Sequence, residues 1–306
     1  MKDDVRLILK DIIPCKDREK LMYDINRVML SKSCLNGFDL CKNMAGLGSL
    51  WGYFPHFMDV KVGKMSLADK MNDPKIVEQI IEKTAAFCMK HEGGKVSKNR
   101  VFQSLKAYNG HHVSNFRPVA ARDIYESLIG RSASVFDPCA GWGGRLIGAI
   151  GAGCKTYTGV DASLKTANCF RDLISDGNLT EAKVIYSAIE DFEIKDAFAD
   201  IAFTSPPYFD AEKYSNDSTQ SWIRYPSYEK WRDGFLTELC LKMKDSVVVG
   251  GYVAINISDV KRFPICDDTN YILKNIGLTH VKDYRYILSS IAGKGQKFEP
   301  VFIYKK

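Results

Sequence analysis

The strongest constraint on the fold is a regular alternation of strand and helix patterns in the second half of the chain. Parallel strands need a crossover connection, usually a helix, so this alternation predicts an α/β fold with a mostly parallel sheet and helices on both faces. The predicted strands are Ser134–Asp137, Tyr157–Asp161, Lys183–Ser187, Asp200–Ser205 and Tyr252–Ile257. The predicted helices are Val119–Ile129, Gly144–Ala149, Ser163–Ser175 and Tyr228–Val248.

Two β-rich runs end the chain. They are Thr279–Leu288 and Pro300–Lys305, and the residues between them include Gly293 and Gly295. Strand patterns joined through glycine are typical of an antiparallel hairpin. We therefore expect a C-terminal hairpin that closes one edge of the sheet.

The first hundred residues have a helical pattern. Apolar residues recur every three to four positions from Asp4 to about Leu47, which indicates amphipathic helices. The glycine- and aromatic-rich stretch Gly46–Pro55 indicates a loop, and a helix is predicted over Pro74–Lys90 with the proline in its first turn. We therefore predict a helical N-terminal region over residues 1–110 and an α/β domain over residues 111–306.

The composition is that of an ordinary folded protein, with 45% hydrophobic and 26% charged residues. No apolar run approaches the roughly 18 residues that a membrane span needs, and the N-terminus lacks the apolar stretch of a signal peptide. We therefore expect a cytoplasmic protein with no membrane partner. The net charge of +6 permits a polyanionic partner without requiring one.

The chain has nine cysteines and five histidines. Their spacing matches neither a zinc site nor a disulfide framework. We therefore expect reduced thiols and no metal, with Cys139 as a small buried thiol.

The first predicted strand of the α/β domain ends in a glycine loop that opens a helix. Gly141 and Gly143 allow the backbone to approach a ligand closely, and a helix N-terminus presents free N–H groups to it. Asp161 follows at the tip of the next strand, where a carboxylate can accept hydrogen bonds from both hydroxyls of a ribose. The pattern predicts a nucleotide-like cofactor.

Dinucleotide folds and S-adenosylmethionine (SAM) folds share this arrangement, and the order of residues in the loop distinguishes them. Dinucleotide loops usually follow Gly-x-Gly-x-x-Gly, whereas here an acid-proline-x-x-Gly-x-Gly order places Asp137 at the strand tip. A carboxylate there can face a cationic amino-acid group and would repel a pyrophosphate. The loop therefore favours SAM over NAD, with a tight turn that binds no ligand as a further alternative.

The strand Asp200–Ser205 runs into the tetrapeptide Ser205–Tyr208, which is Ser-Pro-Pro-Tyr. The two prolines donate no N–H, so the carbonyl of Ser205 or Pro206 has no obligatory partner within the turn. Ser205 Oγ is a second acceptor, and Tyr208 offers a ring face for stacking. This arrangement suits a planar amine, and a rigid turn after a buried strand is the alternative.

With the glycine loop and Asp161 in place, Thr204–Tyr208 resembles the catalytic motif of the SAM-dependent DNA amino-methyltransferases, Asp/Asn/Ser-Pro-Pro-Tyr/Phe. The serine form is most similar to the cytosine-N4 branch, and adenine-N6 enzymes also use it. Phe136–Arg145 resembles a subgroup frequent in bacteriophages and their hosts. Asn115–Pro118 resembles the motif of that subgroup before the sheet, and Phe298–Ile303 resembles its last strand. The resemblance covers about residues 112–306.

The resemblance implies a Rossmann-like methyltransferase fold and methyl transfer from SAM to the exocyclic amine of a flipped DNA base. Cytosine N4 is the first candidate and adenine N6 the alternative. The implied catalytic residues are Ser205, Pro206, Pro207 and Tyr208. The implied cofactor residues are Phe116, Asp137, Pro138, Ala140, Gly141, Gly143, Asp161, Ser187, Ala188, Ile189 and Ser205.

The resemblance leaves no segment of residues 112–306 for DNA recognition, so the N-terminal region is the candidate recognition element. Between Lys95 and Arg117, basic residues alternate with aromatic ones, which is typical of a nucleic-acid surface and equally of a solvated helix face. The candidate DNA contacts are Lys95, Lys98, Arg100, Arg117 and Tyr208.

Two other classes of function use the same motifs. A methyltransferase that acts on RNA or on protein glutamine would need the same amine chemistry, although protein-glutamine enzymes usually carry Asn where Ser205 stands. A catalytically inactive DNA-binding module is the other alternative.

Overall fold

A nine-stranded sheet forms the centre of the protein. The computed structural model describes residues 1–62, 65–108, 113–260, 263–291 and 295–306. With strands numbered in chain order, the sheet runs from one edge to the other as β1 (Leu35–Asn36), β2 (Asp39–Leu40), β10 (Thr279–Ile291), β11 (Gly295–Lys305), β9 (Val247–Asn256), β7 (Ala199–Thr204), β4 (Ser134–Asp137), β5 (Thr156–Asp161) and β6 (Ala182–Tyr186). Two short strands, β3 (Lys61–Val62) and β8 (Glu212–Lys213), form a separate pair.

The five strands from β6 to β9 are parallel, and β11 is antiparallel to both of its neighbours. The predicted mostly parallel α/β sheet with a C-terminal antiparallel hairpin is therefore confirmed. The observed bounds of β4 are those predicted, and β5, β6 and β7 differ from their predicted bounds by one residue at one or both ends. β9 begins five positions before its predicted start. Glycine allows this extension, because Gly250 lies in β9 with a φ of +83°.

Helices pack around the sheet in two buried clusters. They are α1 (Lys2–Lys10), α2 (Arg18–Leu30), α3 (Leu47–Tyr53), α4 (Leu67–Asn72), α5 (Pro74–His91), α6 (Lys98–Ala107), α7 (Pro118–Leu128), α8 (Gly144–Gly151), α9 (Leu164–Asp176), α10 (Ser221–Arg224), α11 (Tyr228–Trp231), α12 (Thr237–Ser246) and α13 (Ile265–Asn275). A π-helical turn, Arg232–Leu236, joins α11 to α12. Sequence analysis had missed α13. Among the described residues, no helix is both long enough and apolar enough to span a bilayer.

Two expectations for the N-terminal region are wrong. The helical pattern ends at Leu30, and the chain then forms the short antiparallel pair of β1 and β2. The stretch Gly46–Pro55, expected as a loop, contains α3. Its glycines allow close packing, because a Cβ on Gly52 would lie 2.1 Å from the carbonyl oxygen of Cys15.

The C-terminal hairpin does not close the sheet, which corrects the expectation that it forms the edge. β2 pairs in parallel with β10, and the guanidinium of Arg285 donates to both carboxylate oxygens of Asp39 at 2.6 and 2.8 Å. Residues of the N-terminal region therefore form the last strands on this side.

One hydrophobic cluster joins the N-terminal region to the sheet. It contains Val5, Leu21 and Phe54 together with Phe170 and Val301, all of which are buried. The domain boundary expected near residue 110 lies outside the described residues, and the division into two domains stays a prediction. The N-terminal helices therefore pack against the sheet through this cluster.

Candidate functional site

The order of the strands predicts where a ligand binds. β4 lies between β5 and β7, so the chain order of the parallel strands reverses at this point. In open α/β sheets the crevice outside the carboxyl ends of the strands at such a reversal is the usual binding site. The loops that follow β4, β5 and β7 carry the glycine loop, Asp161 and the Ser-Pro-Pro-Tyr tetrapeptide.

The glycine loop needs its glycines for two different reasons. Gly141 and Gly143 have φ values of +62° and +79°, a left-handed conformation that other residues adopt only with strain. Gly144 begins α8 so close to the preceding segment that a Cβ there would lie 1.9 Å from the carbonyl oxygen of Phe116. The side chain of Asn115 donates to the carbonyl of Trp142 at 2.7 Å and holds the loop in place.

Asp161 faces a cavity at the ends of β4 and β5. Its carboxylate accepts backbone hydrogen bonds from Gly141 at 3.0 Å and from Ser163 at 2.9 Å. Burial raises the pKa of Asp161 to about 7, although these two hydrogen bonds act in the opposite direction. The group therefore titrates close to neutral pH, and a ligand that donates hydrogen bonds to it would favour its ionised form.

We call this space the glycine-loop cavity. Five of the predicted cofactor residues line it, namely Pro138, Gly141, Asp161, Ile189 and Ser205. Its charged lining consists of Asp161 and Glu190, and among the described residues no Lys or Arg lines it. The walls of the cavity are therefore acidic and apolar, which suits a cationic ligand and disfavours a pyrophosphate.

The other predicted cofactor residues do not line this cavity. Gly143 faces the core, since a Cβ there would meet Leu173, Leu50 and Phe54. Phe116 lines a neighbouring cavity. Ala140, Ser187 and Ala188 shape the backbone beside the site, where Ala140 N donates to the carbonyl of Val160 and Ser187 N to that of Asp161.

Asp137 does not take the position expected of it. It is fully buried, and its two oxygens accept from the guanidinium of Arg145 at 2.7 and 3.2 Å. Tyr157 also donates to it at 2.6 Å. The carboxylate therefore faces Arg145, eight residues along the chain, instead of a cationic ligand. Arg145 also donates to the carbonyl of Cys139, so this ion pair holds the glycine loop in position.

Sequence analysis missed several residues of the glycine-loop cavity. His56, from the N-terminal region, lines it and lies within 3.1 Å of Thr166 through Nε2. Burial lowers the pKa of His56 to about 4, so the ring is neutral at neutral pH. Thr219 also lines the cavity and donates to the carbonyl of Ala162 at 2.7 Å. No local pattern marks these residues, because their position depends on packing between distant segments.

A second space, the proline-motif cavity, lies on the other side of Ser205. Its lining includes Ser205, Pro206 and Tyr208 from the tetrapeptide and aromatic rings from four other segments, Phe116, Trp142, Tyr214 and Tyr286. The two cavities share Gly141, Trp142, Ser205 and Tyr214. Pro207 lines the glycine-loop cavity. The tetrapeptide therefore lies between both spaces.

A hydrogen-bond network from β9 and β11 orients the tetrapeptide. Asn256 Nδ2 donates to the carbonyl of Pro300 at 3.0 Å, so its Oδ1 faces Ser205 and accepts from Ser205 Oγ at 3.1 Å. The hydroxyl of Tyr208 lies 3.4 Å from Asn256 Oδ1 and 3.2 Å from Glu299 Oε2. Because Ser205 donates its proton to Asn256, the lone pairs of its oxygen remain available to a ligand.

Burial also changes the protonation of other groups in the site. It raises the pKa of Glu299 and of Glu212, which both line the proline-motif cavity. Burial raises the pKa of the Cys139 thiol well above its ordinary value, so this cysteine stays protonated and is a poor nucleophile. Among the described residues, no group of three or more His, Cys, Asp or Glu side chains is arranged to hold a metal ion.

The candidate DNA contacts have different environments. Lys98 lies 3.3 Å from Asp11, and Arg100 lies 2.6 Å from Glu92 with its guanidinium over the ring of Phe87. Lys95 is exposed. Arg117 is buried, with only 4% of its surface exposed, and its guanidinium stacks on Tyr286 at 3.9 Å from the ring centre. The expected phosphate contact of Arg117 is therefore wrong, because the side chain is enclosed by the fold.

No protein-family model matches the chain, and no curated protein matches it. Solved structures do resemble it. TrmN from Thermus thermophilus has 15% identity and a TM-score of 0.44 over 62% of this chain and 48% of its own, so this chain spans about half of TrmN.

Two further structures cover more of their own length. A methyltransferase from Pyrococcus furiosus has 14% identity and a TM-score of 0.44 over 75% of this chain and 97% of its own. A TehB-like SAM-dependent methyltransferase from Corynebacterium glutamicum has 13% identity and a TM-score of 0.42 over 74% and 98%. All three TM-scores are below 0.5, so we infer the function of this chain from its own residues.

Proposed function

We propose that this protein transfers a methyl group from SAM to the exocyclic amine of a flipped DNA base, with cytosine N4 as the first candidate. One observation carries the proposal: Ser205 lies on the wall shared by the glycine-loop cavity and the proline-motif cavity. A methyl donor in the first space and a planar amine in the second would meet at this residue.

The glycine-loop cavity fits SAM. The backbone at Gly141 allows close approach, and Asp161 is available to the ribose hydroxyls. SAM carries a sulfonium and an ammonium group, which suit a cavity whose charged lining is Asp161 and Glu190. A dinucleotide would place its pyrophosphate among these carboxylates. Asp137 does not face the cationic amino-acid group of SAM, because its charge is neutralised by Arg145.

The proline-motif cavity fits an amine that needs activation. The nitrogen lone pair of an aromatic amine is delocalised into the ring, so the amine is a poor nucleophile. Ser205 Oγ and the carbonyl of Pro206 would accept hydrogen bonds from its two N–H groups and turn the lone pair towards the methyl group that SAM supplies. The N–CH3 bond would form as the S–CH3 bond breaks, the sulfur would leave as a neutral thioether, and the methylated amine would lose one proton to water. Catalysis by this route is largely positioning, and it requires no covalent bond to the enzyme.

The walls of the proline-motif cavity favour a flat ring as the carrier of the amine. Phe116 and Tyr286 stack on each other with ring centres 4.5 Å apart, and the guanidinium of Arg117 also stacks on Tyr286. Tyr208 and Tyr214 are therefore the rings that we propose for contact with a base. Stacking on aromatic side chains compensates for the stacking that a base loses when it leaves a duplex. A glutamine side chain would gain less from these rings, so we favour a nucleobase. Adenine N6 is the alternative amine.

The partner that we propose is DNA. Among the described residues, Arg145 is the single Lys or Arg that lines either cavity, and Asp137 neutralises it, so the duplex has to be held by basic groups outside the cavities. Lys95, Lys98 and Arg100 are the candidates, and the last two already have a carboxylate partner within the fold. Their contribution to phosphate binding is therefore smaller than their number indicates.

The experiment is expression of the protein in a host whose DNA carries no N4-methylcytosine or N6-methyladenine, followed by mass spectrometry of the digested genomic DNA. The proposal expects N4-methyldeoxycytidine in the wild-type sample and none with Ser205→Ala. N6-methyldeoxyadenosine would establish the alternative amine. SAM binding without either modified base, together with methylated RNA or protein glutamine in the same cells, would contradict the DNA proposal.

A further inference from the structure

Two carboxyl groups lie in the proline-motif cavity, and the amine chemistry proposed above uses neither. Glu299 comes from β11 and Glu212 from β8, and both line the same space as Ser205 and Pro206. A ring that carries an exocyclic amine also presents a ring nitrogen beside it, N3 in cytosine and N1 in adenine, and this nitrogen accepts a hydrogen bond. The cavity therefore needs a donor as well as the two acceptors.

Several donors of the cavity already have an acceptor within the protein. The guanidinium of Arg145, which also lines the cavity, donates to Asp137, and the hydroxyl of Tyr286 accepts from the backbone N–H of Arg117. The hydroxyl of Ser205 donates to Asn256 Oδ1, and the amide of Asn256 donates to the carbonyl of Pro300. The hydroxyl of Tyr214 donates to the carboxylate of Glu212. Asn115 donates to the carbonyl of Trp142. These groups cannot serve the ring nitrogen without losing the partner that holds them in position.

Glu299 is differently placed. The hydroxyl of Tyr208 lies 3.2 Å from Glu299 Oε2 and can donate to it, and Glu299 lines the cavity beside Ser205. A neutral carboxyl has one O–H donor besides its acceptor oxygen. Burial raises the pKa of Glu299, and this favours the neutral form. The hydrogen bonds from Tyr208 and Asn256 and the charges of Lys297 and Arg117 lower this pKa, but burial is the largest effect.

We propose that Glu299 determines specificity by donating a hydrogen bond from its neutral carboxyl to the ring nitrogen beside the target amine. The inference rests on the proposed function, because it requires a nucleobase in the proline-motif cavity. The hydroxyl of Tyr208 orients the carboxyl of Glu299, and Ser205 and Pro206 hold the amine. The site then selects rings that carry a hydrogen-bond acceptor next to that amine. A ring whose neighbouring position carries a C–H would leave the carboxyl unpaired.

The test is a double-mutant cycle between the protein and its substrate. Oligodeoxynucleotides that contain cytosine or 3-deazacytosine at the target position are methylated by the wild type, by Glu299→Ala and by Glu299→Gln. If adenine is the modified base, 1-deazaadenine takes the place of the cytosine analogue. The deaza base also changes the reactivity of the amine, and the cycle cancels this change because it applies to every protein.

We expect the ring nitrogen to affect kcat/KM only when the side chain at position 299 can donate a hydrogen bond. The deaza substitution should lower kcat/KM about 10- to 100-fold more in the wild type than in Glu299→Ala, the range of one lost hydrogen bond in a buried site. Glu299→Gln retains an N–H donor and should discriminate within about threefold of the wild type. Calorimetry with SAM should give unchanged affinity in each variant, and the exposed Glu193→Gln serves as the matched control.

Equal discrimination in the wild type and Glu299→Ala would overturn the proposal while leaving the methyltransferase function intact. Wild-type protein that methylates both substrates equally would overturn it as well, even if Glu299→Ala failed to fold. If the wild type modified no DNA base at all, the proposed function would fail first, and Glu299 would fail with it. The two failures are thereby distinguished.

Discussion

Asp161→Asn is expected to remove a pH dependence of SAM binding that the wild-type protein shows between pH 6 and pH 8. Burial raises the pKa of Asp161 to about 7 in the ligand-free protein. Ribose hydroxyls donate more strongly to a carboxylate than to a neutral acid, so binding selects the ionised form. The affinity of the wild type should therefore rise as the pH rises through 7, and an amide at this position has no such transition.

The magnitude follows from the populations. With a pKa of about 7, roughly one tenth of the protein carries the ionised group at pH 6 and roughly nine tenths at pH 8. The affinity should then increase about tenfold over this interval, which corresponds to about 1.4 kcal/mol. At pH 8, where the carboxylate is fully available, Asp161→Ala should weaken binding by about 1.5–3 kcal/mol because the ribose loses a charged acceptor.

Isothermal titration calorimetry at pH 6, 7 and 8 measures this directly. The α-amino group of SAM itself titrates near pH 8, so the relevant quantity is the difference in binding free energy between wild type and Asp161→Asn at each pH. That difference should grow with pH. Parallel pH profiles for the two proteins would refute the reasoning and would place the ribose away from Asp161.

Two further predictions concern the tetrapeptide and the basic residues. Tyr208→Ala should depress turnover on DNA strongly and leave SAM affinity within about threefold, because the ring serves the base; a parallel loss of SAM affinity in calorimetry would contradict this role. Replacing Lys95, Lys98 and Arg100 by Ala should reduce the slope of log K against log salt by up to about three. An unchanged slope in a folded, SAM-binding variant would identify these residues as a solvated helix face.

Local sequence patterns predicted the parts of the site that depend on neighbouring residues. The end of β4, the left-handed conformation of the loop glycines and the position of Asp161 at the end of β5 follow from short-range rules, because the chain turns where each strand ends. The glycines at 141 and 143 have the left-handed φ values that the loop required. For Ser205–Tyr208 the prolines predict free acceptors without reference to the rest of the chain, and this part of the site stays a prediction.

The same patterns did not predict which charges the fold itself neutralises. Asp137 and Arg117 were expected to face ligands, and both are buried against internal partners, Arg145 and Tyr286 respectively. A sequence shows the presence of a charged side chain, whereas its partner depends on packing. For Asp137 a signal was present, since Arg145 is the second residue of α8 and can reach back to the end of β4.

The short strands of the N-terminal region were not predictable for a related reason. β1 and β2 have two residues each, too few for any alternation of apolar and polar positions to appear. β2 forms because Arg285 on β10 binds Asp39, a contact between residues 246 positions apart. Tertiary contacts of this kind override local helical periodicity.

The N-terminal region contributes to the same site that the tetrapeptide and the glycine loop form. His56 lines the glycine-loop cavity, and the ring of Trp51 lies 6.0 Å from that of Trp142, which lines both cavities. β3 pairs with β8, the strand that carries Glu212 into the proline-motif cavity. Deleting the N-terminal residues would therefore remove His56 from the wall of the glycine-loop cavity and the pairing partner of β8, along with any surface for DNA. Point substitutions on its exposed face are consequently the way to separate DNA binding from catalysis, because they leave these contacts in place.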